Sequence, residues 1–313
     1  MLDYGMECQQ ILSPSWILSD AYDERMRPSL RTGLTAKQME AEAARARPPP
    51  TVNASSELEA VAALVRRGLR PTPSKPDLPF PKGWKGSAAE RLSLQLGHYA
   101  FRLFLRGAIL RPDGFRAPEV TQYVSSATAK RFARTLQELG LLRELSPGFY
   151  RLVHPAKSFG GLLEWYVARE LRRRLGFEVA SGLKCRAPGV GGDLDVVAVA
   201  EGKLVYLEVK SSPPKHLTQS EVEAFFQRLE VVRPDVALFV LDTALRLEDK
   251  VIPMLLQALR SRRADNPAPG ARRIVRELWC VAPHLYAVNA KTDLIANIAR
   301  AIAEGFRALA PTL

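Results

Sequence analysis

The stretch Gly192-Asp193-Leu194-Asp195-Val196-Val197-Ala198-Val199, followed after a short turn by Val205-Tyr206-Leu207-Glu208-Val209-Lys210, constrains this chain more than any other feature. It predicts a β-hairpin centred on Glu201-Gly202, with Asp on one strand and Glu-x-Lys on the other. Folding about that centre sets Asp195 opposite Glu208 and Asp193 opposite Lys210. Side chains alternate along a strand, so all four project from one face. Two carboxylates side by side repel unless a cation sits between them. Lys210 stands on the same face, close enough to meet a metal-bound water or a phosphate. An ordinary exposed sheet face, with Asp193 paired to Lys210 and Asp195 solvated, leaves the like-charged Asp195 and Glu208 unexplained.

The chain has 313 residues, enough for two or more domains, and 47% of them are hydrophobic, ample for packed cores. No apolar run approaches the roughly 18 to 20 residues of a membrane span. The start, Met1-Leu2-Asp3-Tyr4-Gly5-Met6-Glu7, lacks the basic and apolar regions of a signal peptide, so a cytoplasmic protein with no membrane partner is expected. Cys8, Cys185 and Cys280 offer neither a disulfide framework nor a zinc-type spacing. The formal net charge of +12 makes a polyanionic partner plausible, and nucleic acid is the commonest.

Three regions follow from the pattern of breakers and apolar periodicity. Residues 1–86 are proline-rich and expected to be poorly packed, with short helices near 36–45 and 56–67. Residues 87–155 read as helices over 88–110, 117–123 and 127–139, the last capped by Ser125-Ser126 and ended by Gly140, then a hairpin turning at Ser146-Pro147-Gly148. Residues 156–313 read as an α/β domain. A helix over 161–175 ends at Gly176, a strand over 177–186 follows, and the acidic hairpin comes next. Thr218 and Glu221 form a capping box for a helix over 218–232. The run 236–241 suits a strand buried on both faces. A helix over 247–260, a polar loop over 262–271, one or two strands within 278–288 and a helix over 293–309 complete the chain.

The region 87–155 resembles a winged helix-turn-helix, with Leu136-Gln137-Glu138-Leu139-Gly140-Leu141-Leu142 as the junction between recognition helix and wing. Its exposed face would offer Thr128, Lys130, Arg131, Arg134 and Gln137 to phosphates and base edges. The region 157–290 resembles the PD-(D/E)xK nuclease superfamily, whose members share the order helix, strand, strand with Asp, strand with Glu-x-Lys, helix, strand. Asp195, followed by Val196-Val197, matches the family aspartate better than Asp193 does, and Glu208 and Lys210 match the Glu-x-Lys element. The proline of the family's name is missing here, as in many members. Glu164 matches the helix glutamate. It falls on the stripe of Val167, Ala168, Leu171 and Leu175, where a charge needs a partner.

The expected fold is therefore α/β: a restriction-endonuclease-like domain with a central mixed sheet, preceded by a winged helix. The resemblance implies that Asp195, Glu208 and the Val209 carbonyl hold Mg²⁺ or Mn²⁺, that Lys210 positions or helps deprotonate a water, and that Glu164 orients water or helps hold a second metal. The implied function is metal-dependent hydrolysis of nucleic-acid phosphodiesters, with DNA the expected substrate. The alternative is a catalytically silent DNA-binding regulator that uses the nuclease fold for binding or dimerisation. Double-strand cutting with one site per chain would call for a homodimer, and residues 1–85 could house an activating partner's site. Gln219, Gln227 and Arg228 on the following helix are weaker carry-overs, more simply read as polar side chains facing solvent. Arg169, Arg172, Arg173 and Arg174 form a basic cluster that could track a phosphate backbone or simply face solvent.

Overall fold

Aliphatic residues fill both parities of the acidic hairpin because its sheet is covered on both faces. The computed structural model describes residues 58–81, 83–84, 86–185, 192–262 and 270–310. In chain order the elements are α1 (Leu58–Arg66), β1 (Pro71–Pro73), α2 (Ser87–Leu96), α3 (Tyr99–Ile109), β2 (Phe115–Arg116), α4 (Ser126–Glu138), β3 (Leu142–Ser146), β4 (Phe149–Leu152), α5 (Gly160–Leu175), β5 (Glu178–Cys185), β6 (Asp193–Ala200) and β7 (Lys203–Lys210). They continue with α6 (Gln219–Val232), β8 (Val236–Leu241), α7 (Val251–Arg260), β9 (Arg272–Val275), β10 (Leu278–Ala282), β11 (Leu285–Asn289) and α8 (Leu294–Leu309).

The central sheet runs β1-β5-β6-β7-β8-β11-β10-β9, and a small antiparallel sheet runs β2-β4-β3. β8 lies parallel to both β7 and β11, and the other neighbours are antiparallel, so the sheet is mixed as expected. On one face Val196, Ala198, Val205, Leu207, Val209, Leu238 and Val240 pack with Val167 and Leu171 of α5 and Ile298 of α8. That core continues without a break into Phe101, Phe104, Phe132 and Leu136 of the helical region. On the other face Val197, Val199, Tyr206, Phe239 and Leu241 pack with Leu64 of α1, Phe225 of α6 and Leu255 of α7.

Part of the segment expected to be loose is firmly placed. Ala60 and Leu64 of α1 are fully buried, and β1 adds an edge strand against β5 despite its prolines. The Ser74 amide donates to the Gly182 carbonyl at 2.8 Å, so even-numbered positions face β5 and Pro71 and Pro73 turn their missing N–H groups to the open edge. That is where a strand tolerates proline. The helix expected near 36–45 lies outside the described residues. The single helix expected over 88–110 is broken at Gly97-His98, where His98 takes an extended conformation (φ −86°, ψ 119°). The short helix over 117–123 reduces to a 3₁₀ turn at Ala117–Glu119. The 278–288 region divides into two strands, and β9 adds one the sequence pattern did not suggest.

A buried ion cluster explains the break. Arg102, 1% exposed, donates through Nη1 to the Leu96 carbonyl at 2.6 Å, satisfying an acceptor freed where α2 ends. Through Nε it donates to Asp242 at 2.8 Å, and Arg106 holds the other Asp242 oxygen at 2.7 Å. Asp242 is wholly buried, and its amide donates to the Lys210 carbonyl at 2.8 Å. The end of the Glu-x-Lys strand is thus tied to α3. Removing one side of a buried ion pair strands the other, at about 3–5 kcal/mol. Asp242→Ala is expected to lower unfolding free energy by about that much, measured by urea melts followed by circular dichroism; a loss near zero would mean the cluster is not the tie described.

Candidate active site

The β6–β7 hairpin turns at Glu201 and Gly202, with φ of 52° and 69°. Two successive positive φ values suit a two-residue turn that follows the strands' twist. The register runs from Ala200↔Lys203 to Val196↔Leu207, the register expected from the sequence, and the ladder stops there. One step further the strands part, and the Asp195 carboxylate takes the place of a backbone acceptor: Oδ2 receives the Val209 amide at 2.7 Å. β6 meanwhile stays paired with β5 through Leu183↔Leu194 and Lys184↔Asp193. The two aspartates are therefore distinguished by geometry. Asp195 bonds to the Glu-x-Lys strand, while Asp193 sits half-buried in register with Lys184.

Glu208 is 1% exposed and heavily bonded. Its Oε1 accepts from Arg228 Nη2 at 2.6 Å and lies 2.9 Å from Lys210 Nζ. Its Oε2 accepts from Arg228 Nε at 3.1 Å and from the Tyr206 hydroxyl. Tyr206, Glu208 and Lys210 stand two residues apart on one strand face, and Arg228 reaches them from α6. The capping box at Thr218 and Glu221 forms as expected and fixes where that helix starts. Lys210 also lies 3.8 Å from Glu221, and it pairs with these glutamates rather than with Asp193.

Burial and crowding govern the ionisation of this group. Burial chiefly, then repulsion from Asp193 and Glu208, push the Glu164 carboxyl up to about 7, against the pull of Lys210. Burial, with Glu208 and Glu164 nearby, raises the Asp195 carboxyl well above the ordinary range, although the Val209 amide and Lys210 oppose it. Burial would lower the Lys210 ammonium, but Glu208, Asp195 and Glu221 outweigh it and the net direction is upward. Lys210 therefore remains protonated near neutral pH. It can donate hydrogen bonds and offset negative charge, but it cannot take a proton from water in this arrangement.

Of the residues expected on the helical region's exposed face, Lys130, Arg131, Arg134 and Gln137 are solvent-exposed on α4 and Thr128 is half-exposed. Ser125 caps the helix through the Thr128 amide at 3.2 Å. Sequence reasoning missed Tyr206 and misjudged Arg228, which is 6% exposed and bonded to Glu208 rather than facing solvent. Gln219 bonds to Glu223 and the Met254 carbonyl, and Gln227 is exposed. The missed signal was the i, i+2, i+4 series Tyr206, Glu208, Lys210: a tyrosine behind a buried glutamate marks a face needing donors.

The donor set has the chemistry a hard divalent cation takes: carboxylate oxygens, desolvated and repelling one another. Among the described residues no group of three or more His, Cys, Asp or Glu side chains is placed to hold a metal ion. That does not conflict with magnesium, which holds one or two carboxylates and keeps waters. Among the described residues no helix is long and apolar enough to cross a membrane.

Because Glu164 binds its proton more tightly folded (about 7) than in the ordinary carboxyl (4.5), the native state carries the extra proton between those values. Stability should fall as pH rises across that window and level off above it. Glu164→Gln should flatten this part of the profile and stabilise the protein most at pH 8, read from thermal melts between pH 4 and 8. An unchanged slope would place the Glu164 carboxyl in solvent.

No protein-family model and no curated protein matches this chain. Among solved structures it is similar to protein VC1899 from Vibrio cholerae, at 15% identity and a TM-score of 0.47, over 80% of this chain and 61% of that one. It is also similar to Can2 from Sulfobacillus thermosulfidooxidans, solved in complex with cyclic tetra-adenylate (cA4), at 14% identity and a TM-score of 0.40, over 78% of this chain and 59% of that one. The chain thus spans about three-fifths of the length of each. Both superpositions are loose, and the chemistry of the site rests on its own geometry.

Proposed function

We propose that this chain is a metal-dependent nuclease that hydrolyses phosphodiester bonds, with DNA as the substrate. The observation that carries this reading is the placement of Asp195 on the Val209 amide at 2.7 Å, flanked by Glu208 and Lys210 2.9 Å apart, where β6 leaves β7, with the Glu164 and Asp195 carboxyls raised there by burial and mutual repulsion. Perturbed carboxylates and a lysine gathered at one point are characteristic of catalytic sites. Asp195 and Glu208, with the Val209 carbonyl, would hold Mg²⁺ or Mn²⁺. When bound, the metal supplies positive charge that acidifies a water and stabilises the phosphate transition state. Lys210 donates from its ammonium to a phosphate oxygen or to the attacking water and offsets developing charge. Glu164, with a pKa of about 7, is suited to orient that water and take its proton at a carboxyl oxygen at neutral pH.

The α4 face supports placement on a duplex. Lys130, Arg131 and Arg134 are exposed on the helix that precedes the β3–β4 hairpin, the arrangement of a winged helix. On this reading residues 87–155 place DNA and residues 156–313 cut it, although the two share one apolar core.

The test is cleavage of supercoiled, linear, single-stranded and branched DNA, and of RNA, in Mg²⁺, Mn²⁺ or EDTA. Metal-dependent cleavage should disappear in Lys210→Ala while nucleic-acid binding persists, and Asp195→Asn should lose more activity than Asp193→Asn. Cleavage retained by folded Lys210→Ala would remove that residue's role. Lys130→Ala with Arg134→Ala should reduce the salt slope of duplex binding by about 2; an unchanged slope would take α4 off the DNA.

One observation favours a second reading. Glu208 is already neutralised by Arg228 and Lys210, as a silent module would need. Arg228→Ala discriminates. It should destabilise the fold by about 3–5 kcal/mol by stranding Glu208. On the nuclease reading Mn²⁺ restores part of that loss; on the silent reading it restores none.

A further inference from the structure

We propose that a cleft on α5, the helix that carries Glu164, binds one unstacked base and its phosphate from a single-stranded segment of the substrate. This rests on the nuclease reading for its place in the reaction but not for its binding. The cleft, of about 280 Å³, is lined among the described residues by Trp165, Arg169, Arg172 and Arg173. Its volume lies just below the range of about 300–1,000 Å³ usual for small-molecule sites, a size for one base rather than an extended ligand.

The lining has the two components that single-strand recognition needs, an aromatic face for stacking and guanidinium groups for phosphate. Trp165 is half-buried and held in an aromatic series: it meets Phe80 edge-on at 5.2 Å, and Phe80 stacks on Trp84 at 4.8 Å. The Arg169 guanidinium lies over the Trp165 ring at 5.7 Å. Two of the arginines are braced by protein acceptors. Arg173 pairs with Glu170 at 2.9 Å, and Arg172 donates to the Val179 carbonyl at 2.5 Å. Arg169 forms no ion pair with a described carboxylate, and its Nε is buried without an acceptor among the described residues. A buried donor of this kind is costly unless something accepts from it, and a phosphate oxygen would.

Trp165 follows Glu164 directly in the chain, and Arg169 is five residues along α5 from Glu164, about 7.5 Å of helix rise and about 140° round the helix axis, so the cleft lies on a different face of the helix that carries Glu164. A base stacks on the Trp165 ring only when it is free of a duplex partner.

The experiment measures binding in EDTA, so that cleavage plays no part. Oligo-dT and a duplex of equal length are titrated into the full chain, with tryptophan fluorescence and anisotropy as readouts and inorganic phosphate as a competitor. Trp165→Ala and Arg169→Ala should each weaken oligo-dT binding about tenfold and leave duplex binding nearly unchanged. Arg169→Lys should recover most of the affinity. Trp165→Phe should keep affinity yet lose the quenching, which a merely structural role for Trp165 would not produce. Equal losses for duplex and single strand, or no loss in folded variants, would overturn the proposal. So would equal competition by phosphate alone at all sites, since the cleft would then be a simple anion site. The two proposals fail separately. Asp195-dependent cleavage with unaltered oligo-dT binding in Trp165→Ala sinks only the cleft; Trp165-dependent binding in a chain that cuts nothing sinks only the nuclease.

Discussion

Asp242 holds the structure together at the point where its two regions meet. Its carboxylate is wholly buried between Arg102 and Arg106, and such a charge is tolerated only when fully bonded. Each bond has a further consequence. Arg102 can reach Asp242 while also capping the Leu96 carbonyl because the helix breaks at Gly97-His98. The Asp242 amide, bonded to the Lys210 carbonyl, aligns the end of β8 with the end of β7. The helical region therefore does not hang from the sheet by a linker. It is bonded to the strand end that carries the Glu-x-Lys pair, and the apolar core runs through both. Anything that tilts α3 must either carry that strand end with it or break a buried ion cluster.

The acidic site shows the same economy at smaller scale. Where β6 and β7 part, the Val209 amide would lose its ladder partner, and Asp195 supplies one. That bond by itself favours the ionised carboxylate; burial, with Glu208 and Glu164 nearby, outweighs it and raises the Asp195 carboxyl. Tyr206 and Arg228 secure Glu208 from the opposite side, on the face where α6 packs. The parting of the strands, the buried carboxylates and the position of α6 are thus parts of one arrangement.

What could be read from the sequence was whatever depended on neighbours close in the chain. The hairpin register followed from one glycine turn and two alternating strands, and the Thr218 capping box from a three-residue spacing. The continuous apolar run of β8 announced a strand buried on both faces. What stayed hidden depended on partners far away. Arg102 looks like an interruption of an apolar stripe until Asp242, 140 residues on, is placed beside it. Arg228 lies 20 residues from Glu208 and reads as helix-surface polarity until α6 is docked. β1 was obscured because proline argues against strands in general, and the exception requires knowing which edge of the sheet is open.

The formal charges at the site bear on which reading of it is right. Glu164, Asp193, Asp195 and Glu208 act on one another electrostatically near where the strands part; Glu208 pairs with Lys210 and Arg228, Lys210 also lies 3.8 Å from Glu221, and Asp193 is in register with Lys184. Were Glu164 and Asp195 both ionised, their charges would repel each other and that of Glu208 in partly desolvated surroundings. The protein alone meets that repulsion by protonation, which is what the raised Glu164 and Asp195 carboxyls express. A purely structural cluster would gain nothing from carrying such repulsion, because replacing a carboxylate by an amide or an alkyl group removes it. Glu208, held by Arg228, Lys210 and Tyr206, is paired by the protein's own side chains, whereas Glu164 and Asp195 answer their crowding by binding protons more tightly.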